Sequence, residues 1–301
     1  MKVAQKHTNR IKTSTGEKVF TVFNYTFIAL LCLIMLYPFW HVVMQSFSSM
    51  EATLQGGAFL YPKGFNLDTY ESVFKNRQVY TGFATSIMVT VIGTVLGTLL
   101  TAMTAYPLSK SRLRGGKVLM VIVLITMIFS AGMIPSFLLI QGLGLMDNRL
   151  SLILPALVSA YNCIIMKNFF MSIPDSLEES ARIDGANYVR IFFSIIVPLS
   201  KATIATIALF MAVAYWNDYF STVLYIRSPE KWSLQAVLRY MLTNTQQAMA
   251  QAGIQTVSTS NMNSETIKAG TIVISTVPIL VVYPFVQKYF VTGVMIGGVK
   301  G

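Results

Sequence analysis

The chain has 301 residues, of which 54% are hydrophobic and only 12% charged, and it carries a net charge of +11. So few charged groups cannot cover the surface of an ordinary soluble globule, and that class is excluded. Nucleic acid is not expected as a partner either, because the Lys and Arg residues lie between apolar blocks and form no basic stripe interleaved with aromatics.

Residues 1–19 form a basic tail with Lys2, Lys6, Arg10, Lys12 and Lys18. The apolar block that follows is too long for a signal-peptide core and lacks a small-x-small cleavage site, so it reads as a retained helix over about Phe20–Phe47. Tyr37, Phe39 and Trp40 suit an interfacial aromatic belt, with His41 beside them as a belt residue rather than a ligand. Residues 48–80 read as a mixed polar loop. A second helix spans about Thr81–Tyr106. Its Ser86, Thr90, Gly93, Gly97 and Thr101 make a small-residue stripe that suits close packing, either inside this chain or across a dimer.

A short basic stretch at 107–117 leads to a third helix, about Val118–Gln141, where Pro135 predicts a kink tolerated beside a cavity or neighbouring helix. The fourth helix covers about Leu150–Phe170. Pro174–Pro198 then forms the longest charged interruption in the second half. Asp175 or Ser176 can cap a short helix over Leu177–Asp184, since both pair with a Glu at capping-box spacing. Gly185 permits the left-handed residue that ends it, and Asn187 can cap a strongly apolar helix running to Pro198. A fifth helix spans about Leu199–Leu224. After a polar segment over 225–266, amphipathic at Leu234–Leu242, a sixth runs from about Ile267 to Phe290. The tail from Val291 is short and glycine-rich.

Each apolar block approaches the length that crosses ~30 Å of hydrocarbon. Six spans put both termini on one side. Segments on that side hold fifteen Lys and Arg and the opposite segments eight, so the positive-inside rule makes the termini and the 171–198 loop cytoplasmic. The expected divisions are a tail at 1–19, a first span and outer loop at 20–80, a core of spans at 81–290 and a tail at 291–301.

Enzymatic motifs are missing: the sequence has no GxxxxGK[ST] loop, HExxH or nucleophile elbow. Cys32 and Cys163 fall inside apolar blocks, so neither disulfide nor metal is expected. No catalytic residue, metal or cofactor is assigned to this chain. Tyr215-Trp216-Asn217-Asp218, in the fifth helix, sets aromatic faces beside an amide and a carboxylate. Such a group can stack and hydrogen-bond a sugar, or can serve as an interfacial belt with Asp218 paired to a neighbouring helix.

Glu179-Ser180-Ala181, Gly185, Ile195 and Pro198 resemble the EAA motif of permease subunits in ATP-binding-cassette importers. The run Leu177–Asn187, followed by Ile195 and Pro198, is similar to the carbohydrate branch of that family. Ser180 is the departure, standing where the motif usually has Ala. The resemblance implies the all-α, type I importer permease fold in a multi-pass protein of the bacterial cytoplasmic membrane. It implies that Glu178, Glu179, Ser180, Ala181, Asp184, Gly185, Ala186 and Pro198 form the surface coupled to an ATPase. The implied partners are a second homologous permease, identical or different, a dimer of ATPase subunits holding ATP and Mg, and an extracytoplasmic solute-binding protein. Gln287–Phe290 and Gly297–Gly301 resemble the end of maltose-type permeases, which implies a tail that enters the ATPase interface or frays. The implied cargo is an oligosaccharide or a polysaccharide such as alginate. Two other classes stay open: a gradient-driven carrier or channel, for which Asp218 is the one ionisable group well inside an apolar block, and a membrane scaffold.

Overall fold

The structure is a computed structural model that describes residues 14–129, 131–251, 266, 268–281 and 284. Among these the chain is helical and forms no strand. It divides into two compact units, the first made of residues 1–69 and 260–270 and the second of 70–259 and 271–301.

The first unit is dominated by α1, Thr15–Ser46, which begins before the predicted start and is exposed along its apolar length. Trp40 and His41 do have polar partners: the Trp40 indole N–H donates to the Leu60 carbonyl at 2.8 Å, and His41 Nδ1 accepts from the Phe59 amide at 3.2 Å. The stretch read as a polar loop contains short helices instead. Ser49 caps α2, Met50–Gln55, by accepting from the Ala52 amide, and α3 follows at Asp68–Lys75.

Helix α4, Arg77–Leu108, is the axis of the second unit. Asn76 caps it by accepting the Gln78 amide at 2.9 Å. Among the described residues three further candidate spans are broken rather than straight. The predicted third helix is two pieces, α5 at Gly116–Ile128 and α6 at Met133–Gly142, and Pro135 lies in the first turn of the second piece, where its missing N–H costs nothing. The fourth consists of α7 at Leu150–Ile153 with a 3₁₀ turn over Leu154–Ala156, then α8 at Ala160–Met171, bent by 48°. Next come α9 at Asp175–Ile183, α10 at Tyr188–Ile191, a π-helical turn at Phe192–Ile196 and α11 at Val197–Leu199. Pro198 lacks a donor for the Ser194 carbonyl and its ring crowds that group, so the preceding turn widens to an i→i−5 bond from Val197 N–H to the Phe192 carbonyl. After an 84° bend at Ser200 the fifth span continues as α12, Lys201–Asn217, and it stops at Asp218 before α13, Phe220–Tyr225. The amphipathic stretch becomes α14, Leu234–Gln251, and α15 covers Lys268–Val281. Among the described residues two helices are long and apolar enough to cross a membrane, or up to five if each bent pair is one span. Apart from Pro284, the rest of the predicted sixth helix lies outside the described residues, as do the 291–301 tail and residues 1–13 of the N-terminal tail.

The small-residue stripe packs inside the chain. Cβ atoms added at Gly93 and Gly97 would collide with the side chains of Tyr215 and Met211 on α12, so only glycine allows this approach. Ser86 accepts the Leu234 amide at 2.8 Å and so fastens the start of α14 to α4. Gly97→Val would also drive its Cβ to 2.8 Å from the Leu157 carbonyl, a backbone atom that cannot swing away. We expect Gly97→Val to cost about 1–3 kcal/mol by overpacking. Gly142→Ala, where nothing lies within 4 Å, should stay within about 0.5 kcal/mol. Thermal unfolding of the detergent-solubilised protein checks both.

Candidate functional site

Helix α9 and its turn form a capped, exposed knuckle. Its N-cap is Pro174, with no side-chain cap, so the predicted capping by Asp175 or Ser176 is not what forms. Asp175 turns instead toward Lys110, and the Ser180 hydroxyl donates back to the Ser176 carbonyl at 2.9 Å. The far end closes as expected. Gly185 has φ +82, the Ala186 amide donates to the Ala181 carbonyl at 2.9 Å, and the Gly185 amide donates to the Arg182 carbonyl at 3.0 Å. Asn187 then caps α10 by accepting the Arg190 amide at 2.8 Å. One glycine-closed end and the Asn187 cap therefore make the hairpin stiff at its turn.

The predicted coupling residues do not share one face. Glu179, Ser180, Asp184, Gly185 and Pro198 are exposed, while Ala181 and Ala186 pack partly against the core. Glu178 points inward and is 5% exposed, with its carboxylate 2.5 Å from Lys110 Nζ. Ile183 was not singled out in the sequence, yet at 87% exposure it is the barest large apolar side chain on the knuckle. An isoleucine one residue before the Asp-Gly turn is its only signal, and burial decides the matter.

A cleft of about 480 Å³ lies between this hairpin and the end of α4, lined by Tyr106, Lys110, Arg114, Glu178, Arg182 and Phe193 among others. The Tyr106 ring meets Phe170 and Phe192 at centroid distances of 6.3 and 5.4 Å, which joins α4, α8 and the π turn. Arg112 pairs with Glu179 at 3.2 Å, both well exposed.

The structure divides the Tyr215–Asp218 cluster. Tyr215 and Asp218 line a second cleft, about 490 Å³, with Ser159, Tyr161, Asn162 and Phe210. Trp216 faces elsewhere: it is 8% exposed, its indole packs edge-on to Phe83 at 5.7 Å, and its N–H donates to the Ser275 carbonyl at 3.3 Å. Asn217 donates to the Val213 carbonyl of its own helix. Asp218 accepts the Ser221 amide at 3.1 Å and thus starts α13, and the Tyr215 hydroxyl donates to the Ile153 carbonyl at 3.0 Å.

One carboxylate of structural weight escaped the sequence reading. Asp147 has φ +58, unusual for a residue with a side chain. Its carboxylate accepts from Lys231 Nζ at 2.7 Å, from the Ser228 amide and hydroxyl at 2.9 and 2.7 Å, and from the Arg227 amide at 3.1 Å. The Lys231 contact first, then the Ser228 and Arg227 donors, hold its pKa well below the usual carboxylate range. The loop before α7 is thereby tied to the segment after α13. Among the described residues no group of three His, Cys, Asp or Glu side chains could hold a metal.

Comparison with known proteins gives consistent matches. Residues 93–296 match the family described as binding-protein-dependent transport system inner membrane component. The polygalacturonan/rhamnogalacturonan transport system permease protein YtcP of Bacillus subtilis (strain 168) is 44% identical over 288 residues, which covers 95% of this chain and 99% of that protein. Protein LplC of the same organism is 42% identical over 299 residues, 99% and 100% of the two chains. Among solved structures, a chain of a bacterial ABC transporter involved in the import of the acidic polysaccharide alginate superposes with a TM-score of 0.82 at 36% identity, covering 93% of this chain and 99% of that one.

Asp147→Ala should lower stability by about 1–3 kcal/mol, because the donors around it lose a charged acceptor. The sign with pH follows from a folded pKa below the unfolded value. The contribution is complete above about pH 4 and disappears as pH falls toward the depressed value. Wild type should therefore lose its advantage over Asp147→Ala in acid, read as the difference in thermal midpoint across a pH series in detergent.

Proposed function

The chain belongs to the binding-protein-dependent transport system inner membrane component family, and from that membership we propose that it is one permease subunit of a carbohydrate importer. Membership favours this reading over a gradient-driven carrier working alone. The finer arrangement is part of the proposal: six spans in the bacterial cytoplasmic membrane, with both termini and the 171–198 loop in the cytoplasm. The chain would divide into the tail, first span with outer loop, core and end tail at the boundaries expected from the sequence. A second permease, homologous to this one, completes the path. Two ATPase subunits bind and hydrolyse ATP with Mg, and a solute-binding protein delivers cargo from outside.

The observation that carries the reading is the knuckle at α9. A helix closed by caps at its turn, with Ile183 and Gly185 bare at its tip, offers a stiff apolar point for another protein to grip. We assign Glu179, Ser180, Asp184, Gly185 and Ile183 to the ATPase contact, with Ala181, Ala186 and Pro198 holding the hairpin that presents them. Cargo passes the second cleft, where Tyr161, Phe210 and Tyr215 supply aromatic surface and Asp218 and Asn162 supply polar groups. An oligosaccharide or a polysaccharide is the cargo class, supported by the polygalacturonan/rhamnogalacturonan permease and the alginate importer among its relatives. Trp216 and Asn217 act through the wall of the path, since their polar groups are taken by Ser275 and Val213.

Purification of the chain from its native membrane should bring an ATPase subunit with it, and saccharide with binding protein should stimulate that ATPase. Absence of any nucleotide-binding subunit would remove the importer reading. A sharper outcome is expected for Gly185→Val. Nothing lies within 4 Å of an added Cβ, so the penalty is the left-handed backbone alone, about 1–2 kcal/mol. Uptake per ATP hydrolysed should fall although the mutant chain still reaches the membrane, and an unchanged ratio in reconstituted vesicles would refute the rigid-knuckle role.

A further inference from the structure

We propose that Lys110 is a positioning residue for coupling: its ionic contact with Glu178, flanked by Asp175, makes α4 a second arm through which movement of α9 reaches the spans. This rests on the importer reading above and adds a route that the coupling motif does not contain. Along the chain, α9 connects only to α8 through Ser172–Pro174 and to α10 through Asp184–Asn187. Motion passed along the backbone would reach α12 only after the π turn and the 84° bend at Ser200. That is a compliant path, since π turns and sharp bends are where helices yield.

Lys110 supplies the direct path. It follows α4 by two residues, and its ammonium lies 2.5 Å from Glu178 and 3.3 Å from Asp175, 68 and 65 residues further along the chain. The same ammonium sits 5.5 Å from the centroid of the Tyr106 ring, which is itself packed against Phe170 and Phe192. Glu178 is buried and the Lys110 side chain only 22% exposed, so water screens the pair weakly. Removing either partner strands a desolvated charge. The exposed Arg112–Glu179 pair beside it, with side chains 76% and 56% accessible, is screened and holds little. The Lys110 amide donates to the Pro107 carbonyl at 3.1 Å, and from there α4 runs back without a break to Gly93 and Gly97, where it touches Tyr215 and Met211, two residues that line the second cleft. A push on α9 therefore reaches the cleft wall through α4 and the hydrogen-bonded turn at its end.

The test uses the assembled importer reconstituted in liposomes, with uptake measured per ATP hydrolysed. In complexes that still hold the ATPase, Lys110→Met should lower that ratio about tenfold, within the range of ordinary coupling energies. Arg112→Met should leave the ratio unchanged, and the exchange Lys110→Glu with Glu178→Lys should recover part of the loss. Should Lys110→Met fail to assemble, the pair Lys110→Cys and Glu178→Cys, joined by a cleavable thiol cross-linker, decides. Joined complexes should keep stimulated uptake, whereas uptake lost on cross-linking and regained on cleavage would overturn the proposal. A wild-type ratio in Lys110→Met with the ATPase bound would overturn this arm alone. Failure of the wild-type chain to hold any ATPase would instead remove the importer reading on which it stands.

Discussion

The close approach of α4 to α12 is the constraint on which the rest of the second unit depends. Between helices in an apolar solvent there is no hydrophobic gain, so association relies on contact distance and on hydrogen bonds. Gly93 and Gly97 remove the side chains that would keep α12 away, and Tyr215 and Met211 fill the space. Ser86 adds the hydrogen bond that places α14 on the same helix. A single helix thus serves as the wall for α12 and α14, and through Tyr106 it also meets α8 and the π turn. Disturbing its small-residue face would displace all of them together.

A stiff axis makes sense beside a stiff knuckle. Helix α9 is too short to be stable alone, since helices below about 12 residues are marginal in water. Its order comes from the glycine-closed end, from Ala181 and Ala186 packed on the core, and from Glu178 drawn down onto Lys110. Helix α9 begins with Pro174 at its N-cap position, so Asp175 and Ser176 lie inside the first turn, where Asp175 and Glu178 meet Lys110 instead of capping. Of the two carboxylates on Lys110, buried Glu178 makes the less screened contact, since Asp175 stays largely exposed.

Much of this was legible in the sequence, for identifiable reasons. Gly185 and Asn187 act locally, through φ and through one side-chain acceptor, and both sit where their residue types predict. The stripe on α4 was visible from spacing, but its choice of partner was not, because α12 lies more than a hundred residues away. Pro135 predicts a kink and the chain is interrupted just before it, between α5 and α6, whereas the breaks at Leu157–Ser159 and Asp218 leave no such mark, since hydropathy measures total apolarity and not backbone continuity. Trp216 was read with its neighbours as one surface, yet successive residues on a helix point about 100° apart, and the indole faces Phe83 while Tyr215 faces the cleft. Asp147 left no local mark at all: an aspartate in a loop becomes a fastener only when Ser228 and Lys231 arrive from the other end of the fold.

Two of those breaks meet at one place. The interruption between α7 and α8 contributes Ala156, Val158 and Ser159 to the second cleft, and the interruption after α12 contributes Asp218. Irregular backbone at membrane depth is costly wherever lipid surrounds it, because no water is present to satisfy the freed N–H and C=O groups. It persists where protein or an aqueous cavity supplies partners. Here some of that satisfaction is internal: the Tyr215 hydroxyl takes the Ile153 carbonyl just before one break, Ser159 caps α8 after it, and Asp218 receives the Ser221 amide across the other. Breaks that would each be a defect facing lipid become compatible with the fold once they share a cleft. That same juxtaposition sets hydroxyl, amide and carboxylate groups beside the rings of Tyr161 and Phe210, the mixture of polar and aromatic surface that a hydroxylated solute requires.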